Sequence, residues 1–220
     1  LFVKYMELSI VTSTFNLGNN CNKFISRCIS ACNKVKIKNY EIIITDDGSK
    51  DDTFEILKKN STKNKKIKLI RLTKNFGQQY ALNTGFKFAK GKYIFTLDSD
   101  LEESPDNLIK FYKTIKKSKL DHVYGYTKNR VGGFLSKLFG AIFYSFMNFF
   151  SGNRTKHYIT STAVFTKNIN NIIKSKNDPD LFFTYMLKDL NIRSAGLLVN
   201  KTASSISGYT FSKKMRLFIY

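Results

Sequence analysis

Apolar and polar positions alternate between two periods along the first half of the chain. "LSIVTST" (8–14) and "EIIIT" (41–45) are short β-branched runs that end in turn residues, and the segment between them, Asn20 to Lys34, spaces its apolar residues as a helix does. Together they predict a strand, helix, strand unit. "DDGSKDDT" then turns the chain into a helix near Asp52 to Lys59, and "IKLIRL" (67–72) predicts a third strand. "GQQYALNTGFKFA" (77–89) predicts a helix and "KYIFTL" (92–97) a fourth strand. Ser104 and Pro105 have the character of an N-cap and first helical residue for "PDNLIKFYKTIKK", and the Lys-rich "KKNSTKNKKIK" (58–68) reads as a solvated loop.

Such alternation predicts an α/β fold with a mostly parallel central sheet flanked by helices. In open sheets of this kind a ligand sits at the carboxyl ends of the strands. Three loops should meet there: "TSTFN" after the first strand, "TDDGS" after the second and "LDSDLEE" after the fourth. The second half has a different texture. "HVYGYTKNRVGG" leads into an aromatic-rich, helix-like segment at 134–150, followed by "YITSTAVFTKN", a helical stretch near 179–189 and the polar tail "NKTASSISGYTFSKK". There is no internal repeat, and the 220 residues read as one domain, with one half about 6–126 and the other about 127–220.

Composition narrows the function classes. A hydrophobic content of 42% and an aromatic content of 15% support a buried core and exclude a disordered chain. The net charge of +21 attracts polyanions, whether nucleic acid, an anionic membrane surface or phosphate-bearing substrates. A nucleic-acid platform would interleave aromatics with the basic runs, which this sequence does not do. Cys21, Cys28 and Cys32 lack zinc spacing and, with His122 and His157 the only histidines, read as buried thiols suited to a reducing cytosol. "LFVKYMELSIV" does not have the pattern of a signal peptide, and Met6 is a candidate natural start. The segment 134–150 falls short of the ~20 apolar residues of a spanning helix and contains Lys137.

Against that basic background, "TLDSDLEESPD" places Asp98, Asp100, Glu102, Glu103 and Asp106 in one short stretch. Like charges so close raise one another's pKa unless a cation sits among them. Asp98 and Asp100, one residue apart at a strand end, can turn toward one point and offer hard oxygen ligands to magnesium or manganese. The competing reading is an acidic turn that caps the next helix. Asp46 and Asp47, at the end of an apolar strand, could accept hydrogen bonds from a base or ribose, or simply form a turn.

Taken together, "LSIVTSTFN", "EIIITDDGSKDDT", "NFGQQYALNTGFKFAKGKYIFTLDSDLEESPD", "SKLFGAIFYSFMN", "ITSTAVFTK" and "SGYTFSKK" resemble, in order, the family 2 glycosyltransferases of the GT-A fold. The nearest branch contains dolichyl-phosphate mannose synthase and bacterial polyprenyl-phosphate or polysaccharide glycosyltransferases. The resemblance implies that Ser13, Phe15 and Asn16 line the nucleoside with Phe15 stacking, that Asp47 contacts the base with Asp46 behind it, and that Gln78 belongs to the nucleotide site. It implies metal binding and catalysis by Asp98, Asp100 and Glu102, with Mn2+ or Mg2+ as cofactor. Ser13 replaces the family's proline, Leu17 an acid, Thr162 a nearby arginine and Ile206 a basic residue. Lys201, Ser205 and Ser207 are then the nearest groups for phosphate contacts, joined by Lys128 and Arg130 on the acceptor side.

Expected partners are a nucleotide-diphosphate sugar donor, a polyprenyl phosphate or glycan acceptor, and a peripheral membrane surface. No nucleic-acid partner is expected. Segment 134–150, flanked by Lys128, Arg130, Lys137 and Arg154, suits an interfacial helix at the cytoplasmic membrane face, with core packing as the other reading. Family members often continue into membrane helices after the "SGYT" region. A lipid phosphate acceptor would need no strong general base; a hydroxyl acceptor would, and Asp178 and Asp180 are weak candidates. Two other classes stay open: a noncatalytic family member acting as a membrane-bound partner, and a basic nucleic-acid-binding protein.

Overall fold

The computed structural model describes residues 5–127, 158–176, 187 and 192–201. Lys128, Arg130, segment 134–150, Arg154, His157, Asp178, Asp180, Ser205, Ile206 and Ser207 lie outside the described residues, as does all of the stretch near 179–189 except Leu187. The elements are β1 (Leu8–Thr14), α1 (Asn20–Lys34), β2 (Tyr40–Asp46), α2 (Thr53–Lys63), β3 (Ile67–Arg71), α3 (Gln78–Phe88), β4 (Tyr93–Thr96), α4 (Asn107–Lys117), β5 (His122–Thr127), β6 (Tyr158–Thr166), α5 (Lys167–Ser175) and β7 (Ser194–Leu198).

The strands form one seven-stranded sheet in the order β3-β2-β1-β4-β6-β5-β7. β1 runs parallel to β2 and β4, β2 is parallel to β3, and β7 is parallel to β5. Only β6 runs against its neighbours, wedged between β4 and β5. The chain moves outward from β1 through β2 to β3, then returns to place β4 on the other side of β1. The crevice between β1 and β4 is therefore where the strand order reverses, the usual position of a ligand in such sheets.

Burial explains the strand compositions. β2 is buried along its whole length, as expected of a central parallel strand covered on both faces. On one face α1 buries Cys21, Phe24, Ile25, Cys28, Ala31 and Cys32, and α4 buries Leu108, Phe111, Tyr112 and Ile115, both at helical spacing. On the other, α3 and α5 enclose Val11, Ile43, Leu82, Phe86, Phe165 and Ile169. All three cysteines are free and buried, and burial pushes the Cys21 and Cys32 thiols up to about 12. Burial raises Cys28 as well. His122 is buried in β5, which lowers its pKa to about 4.

Several boundaries differ from the sequence reading. The Lys-rich stretch at 58–68 is helical through Lys63, because Leu57 packs inward while the lysines of the last turns face water. Asp106, not Ser104, precedes the first turn of α4. Pro105 lies in a tight approach turn in which Asn107 N donates to the Ser104 carbonyl at 2.9 Å. β5, β6, α5 and β7 are elements that the sequence pattern does not mark; β5 and β7 lie toward an edge of the sheet where hydrophobic patterning is weak.

At the amino ends of the strands, Glu41 is a buried carboxylate held by Ser9 Oγ at 2.6 Å, by the Lys90 amide at 2.8 Å and by Lys68 Nζ at 2.5 Å. Gly91 lets the chain pass close by, since a Cβ there would lie 2.4 Å from Ser9 N and 2.7 Å from the Leu8 carbonyl carbon. Gly91→Ala should therefore cost ~2 kcal/mol through backbone overpacking, seen as a lower urea midpoint. An unchanged midpoint would show that this approach is not as tight as described.

Candidate active site

Three loops meet at the carboxyl ends of β1, β2 and β4, and the polar side chains in them are largely occupied in fastening one loop to another. Asn16, at φ 51°, links the first two: its amide N donates to Ser49 Oγ at 2.9 Å and its Oδ1 accepts from Lys50 N at 2.9 Å. Thr53 Oγ1 accepts from the amides of Leu17 and Gly18, each at 2.8 Å. Leu17, which stands where the resemblance expects an acid, is buried in the core. Ser99 Oγ donates to the Ser13 carbonyl at 2.9 Å and Thr12 Oγ1 to the Leu97 carbonyl at 2.8 Å, which ties the β4 loop to β1. Phe15 is half-buried in the same loop.

Asp46 and Asp47 have different surroundings. Asp46 is fully buried, accepts from Ser49 N at 3.1 Å through Oδ1 and lies 3.6 Å from Arg71 Nε through Oδ2. Asp47 accepts from Phe76 N at 2.8 Å and from Gly77 N at 2.9 Å, one amide for each carboxylate oxygen. Burial raises its pKa, those two amides oppose the rise, and Asp46 adds to it. The β3–α3 loop is thus clamped against the β2–α2 turn. Gly48, at φ +69°, makes room for it, because a Cβ there would lie 2.6 Å from the Lys74 carbonyl carbon. Lys50, Arg71 and Lys74 help line a cleft of about 560 Å³ at this junction. Beside it Phe76, 40% exposed, stacks on Tyr80 with ring centroids 4.7 Å apart.

The acidic loop divides into compensated and uncompensated members. Asp106 pairs with Lys34 at 2.8 Å and Arg27 at 3.2 Å, contacts that hold its pKa down. Lys201 Nζ lies 3.0 Å from Glu103 and 3.9 Å from Glu102. Burial works against the Lys201 ammonium, yet Glu103, then Asp98 and Glu102, hold its pKa above the usual value. Asp98 and Asp100 have no ion pair among the described residues. Asp98 Oδ1 accepts from Gln78 Nε2 at 2.6 Å, and Asp100 Oδ1 from Glu102 N at 2.9 Å. Burial, then the charges of Asp100 and Glu103, push Asp98 up to about 7, with Ser161 and Lys201 acting the other way. Burial also raises Asp100, while the Glu102 amide and Lys201 oppose the rise.

Sequence reasoning placed the three loops and the acids together and named Gln78 and Lys201, but not the pairing of either with an acid. Gln78 sits against Asp98, 20 positions away, and Lys201 is an ion-pair partner of the acidic loop rather than a side chain free for phosphate. Neither pairing leaves a local signal. Ser99, fastened to β1, was not singled out, and Glu103 was read only as one of the crowded acids, not as a buried partner of Thr162.

A divalent cation fits the two uncompensated carboxylates. Among the described residues no three His, Cys, Asp or Glu side chains form a metal cage. Magnesium and manganese can be held by one or two carboxylates together with substrate phosphates. The raised Asp98 carboxyl also predicts a pH effect on stability. Between about pH 4 and about pH 7 the folded chain keeps a proton that the unfolded chain has released, so the favourable contribution is lost as pH rises through about 7. Asp98→Asn should accordingly stabilise the metal-free protein clearly more at about pH 8 than at about pH 5. Urea unfolding at both values checks this, and an equal effect at both would remove the argument.

Known proteins resemble this chain in sequence and in fold. Over 136 residues the chain is 34% identical to an uncharacterized glycosyltransferase of Synechocystis sp., a match covering 62% of this chain and 42% of the relative. It is 31% identical to the dodecaprenyl-phosphate galacturonate synthase of Rhizobium johnstonii over 62% of this chain and 40% of that one. The first curated relatives it matches are longer; the chain spans 42% to 62% of their length. A mannosyltransferase from Pyrobaculum calidifontis, solved with GDP-Man and Mn2+, shares the fold with a TM-score of 0.63 at 14% identity, over 93% of this chain and 59% of that structure. Among the described residues no helix is long and apolar enough to cross a membrane. The model named "Glycosyl transferase family 2" matches residues 9–173, and the chain belongs to that family.

Proposed function

We propose that the chain is the catalytic part of a metal-dependent, inverting glycosyltransferase that moves a sugar from a nucleotide-diphosphate sugar to a polyprenyl-phosphate acceptor or another lipid-linked or polysaccharide acceptor at the cytoplasmic membrane face. The observation that carries this is the pair Asp98 and Asp100: half-buried carboxylates at the β4 end, without an ion-pair partner among the described residues, beside the loops of β1 and β2. A family relative acts, by its name, on dodecaprenyl phosphate, and a structural neighbour holds GDP-Man with Mn2+.

In this reading Asp98 and Asp100, assisted by Glu102, hold the cation. When bound, it would act as a Lewis acid that stabilises charge developing on the departing diphosphate. Phe15 stacks on the base, and Ser13 and Asn16 line the nucleoside. Asp47 reaches the base with its remaining lone pairs while it fixes Phe76 and Gly77, and Asp46 supports it from behind. Gln78 orients Asp98 at the floor of the site. The cationic wall of Lys50, Arg71 and Lys74 draws in the anionic donor. Lys201 is paired with Glu103 in the acidic loop and is not assigned to the phosphate. On the acceptor side the reading assigns Lys128, Arg130, Ser205 and Ser207. A phosphate acceptor arrives as an oxyanion and needs no general base, whereas a glycan hydroxyl must lose a proton.

Isothermal titration with UDP, GDP and dTDP, each with and without Mn2+, tests the donor site. One nucleotide should bind in a metal-dependent way, and Asp100→Ala should remove the metal dependence while leaving the chain folded. Failure of all three to bind a folded chain under every metal condition would sink the reading. Transfer assays with polyprenyl phosphate and with a glycan acceptor then choose between the two acceptor classes.

A further inference from the structure

Glu103 belongs to the acidic loop but does not face the site. Its side chain is fully buried, and its two oxygens point to two different parts of the fold. Oε2 accepts a hydrogen bond from Thr162 Oγ1 in the middle of β6. Oε1 faces Lys201 Nζ at 3.0 Å, just beyond β7, and the backbones of Glu103 and Lys201 form an isolated antiparallel bridge. Lys201 also lies 3.9 Å from Glu102, and its side chain is only 24% exposed. Buried Glu103 thus joins the acidic loop to β6 through Thr162 and to the segment that follows β7 through Lys201.

We propose that Glu103 and Lys201 are a positioning pair that holds the loop so that Asp98 and Asp100 present their carboxylates to a divalent cation, and that Lys201 thereby strengthens metal binding. This rests on the reading of Asp98 and Asp100 as metal ligands. Two effects of Lys201 have opposite signs. As a bare cation it would repel the metal and weaken its binding. As the partner of Glu103 it forms a pair of no net charge, whose field at the site is small, and it keeps a buried carboxylate in place. Without it, Glu103 is a buried carboxylate with no ion-pair partner among the described residues, which favours a loop shift that opens the backbone bridge to residue 201. Asp100 is tied to that same loop through the Glu102 amide at 2.9 Å, so such a shift reaches the carboxylates. Groups behind metal ligands typically change metal affinity by ~10–100-fold, enough for the geometric effect to prevail.

The sign makes the test decisive. Mn2+ is titrated into the whole chain, alone and with UDP or GDP, and free Mn2+ is followed by electron paramagnetic resonance. Lys201→Gln should weaken Mn2+ binding about tenfold, and Lys201→Arg should restore most of it. Lys68→Gln, which breaks the ion pair with Glu41 at the opposite ends of the strands, should lower thermal stability and leave Mn2+ affinity unchanged. Thr162→Val, which removes the hydroxyl from Glu103 without a change of charge, should weaken Mn2+ binding in the same direction and serves if Lys201→Gln does not fold. Equal or tighter Mn2+ binding by folded Lys201→Gln overturns the proposal; so does an unchanged affinity in Thr162→Val. If the wild-type chain binds no Mn2+ under any of these conditions, the metal-site reading itself falls and the pairing proposal falls with it. Asp100→Ala identifies the binding that counts.

Discussion

Five carboxylates between Asp98 and Asp106 repel one another in a space that the fold partly closes to water, and most of the architecture near the carboxyl ends of the strands answers that repulsion. α1 supplies Arg27 and Lys34 to Asp106, and the segment after β7 supplies Lys201 to Glu102 and Glu103. The compensation is selective. It stops short of Asp98 and Asp100, and burial then raises both carboxyls, with the charges of Asp100 and Glu103 adding at Asp98 and that of Glu103 at Asp100. Cations bring the loop into a defined shape, and its two least compensated members stand at the carboxyl end of β4, beside β1.

The two ends of the sheet solve a similar problem differently. At the amino ends, Glu41 is enclosed by Ser9, Lys68 and the Lys90 amide, close to the tight passage at Gly91. All of its interactions are made within the fold, and it is a closed structural knot. At the carboxyl ends the loops are fastened to one another through Asn16, Thr53, Asp47 and Ser99, yet acceptor capacity is left over on Asp98 and Asp100. Interlocked loops that keep unspent oxygen ligands have the preorganisation a charged ligand requires.

The legible part of the fold was the part with strong periodicity. β1, β2 and β4 are apolar runs buried on both faces, and α1 has its apolar residues on a single stripe, so their positions could be read from spacing. The convergence of three loops followed from topology. β7 was not legible, because Ser194–Leu198 is a partly exposed edge strand with no alternation to mark it. The start of α4 was misplaced by the attraction of Ser104 and Pro105, whose turn leads into the helix rather than beginning it. Within the site the acids were legible from their crowding, while their partners were not. Glu103 and Lys201 are 98 positions apart, and nothing near either residue announces the other.

The buried thiols have a practical consequence. Cys21, Cys28 and Cys32 are the chain's only cysteines; all are enclosed in one core, with pKa values raised far above those of reactive thiolates. Thiols so placed should react only slowly with maleimide and other thiol reagents while the chain is folded. A cysteine introduced at a chosen surface position would then carry a spin label or fluorophore alone, with no need for a cysteine-free background. Loop separations could be followed by spectroscopy in the otherwise unaltered chain.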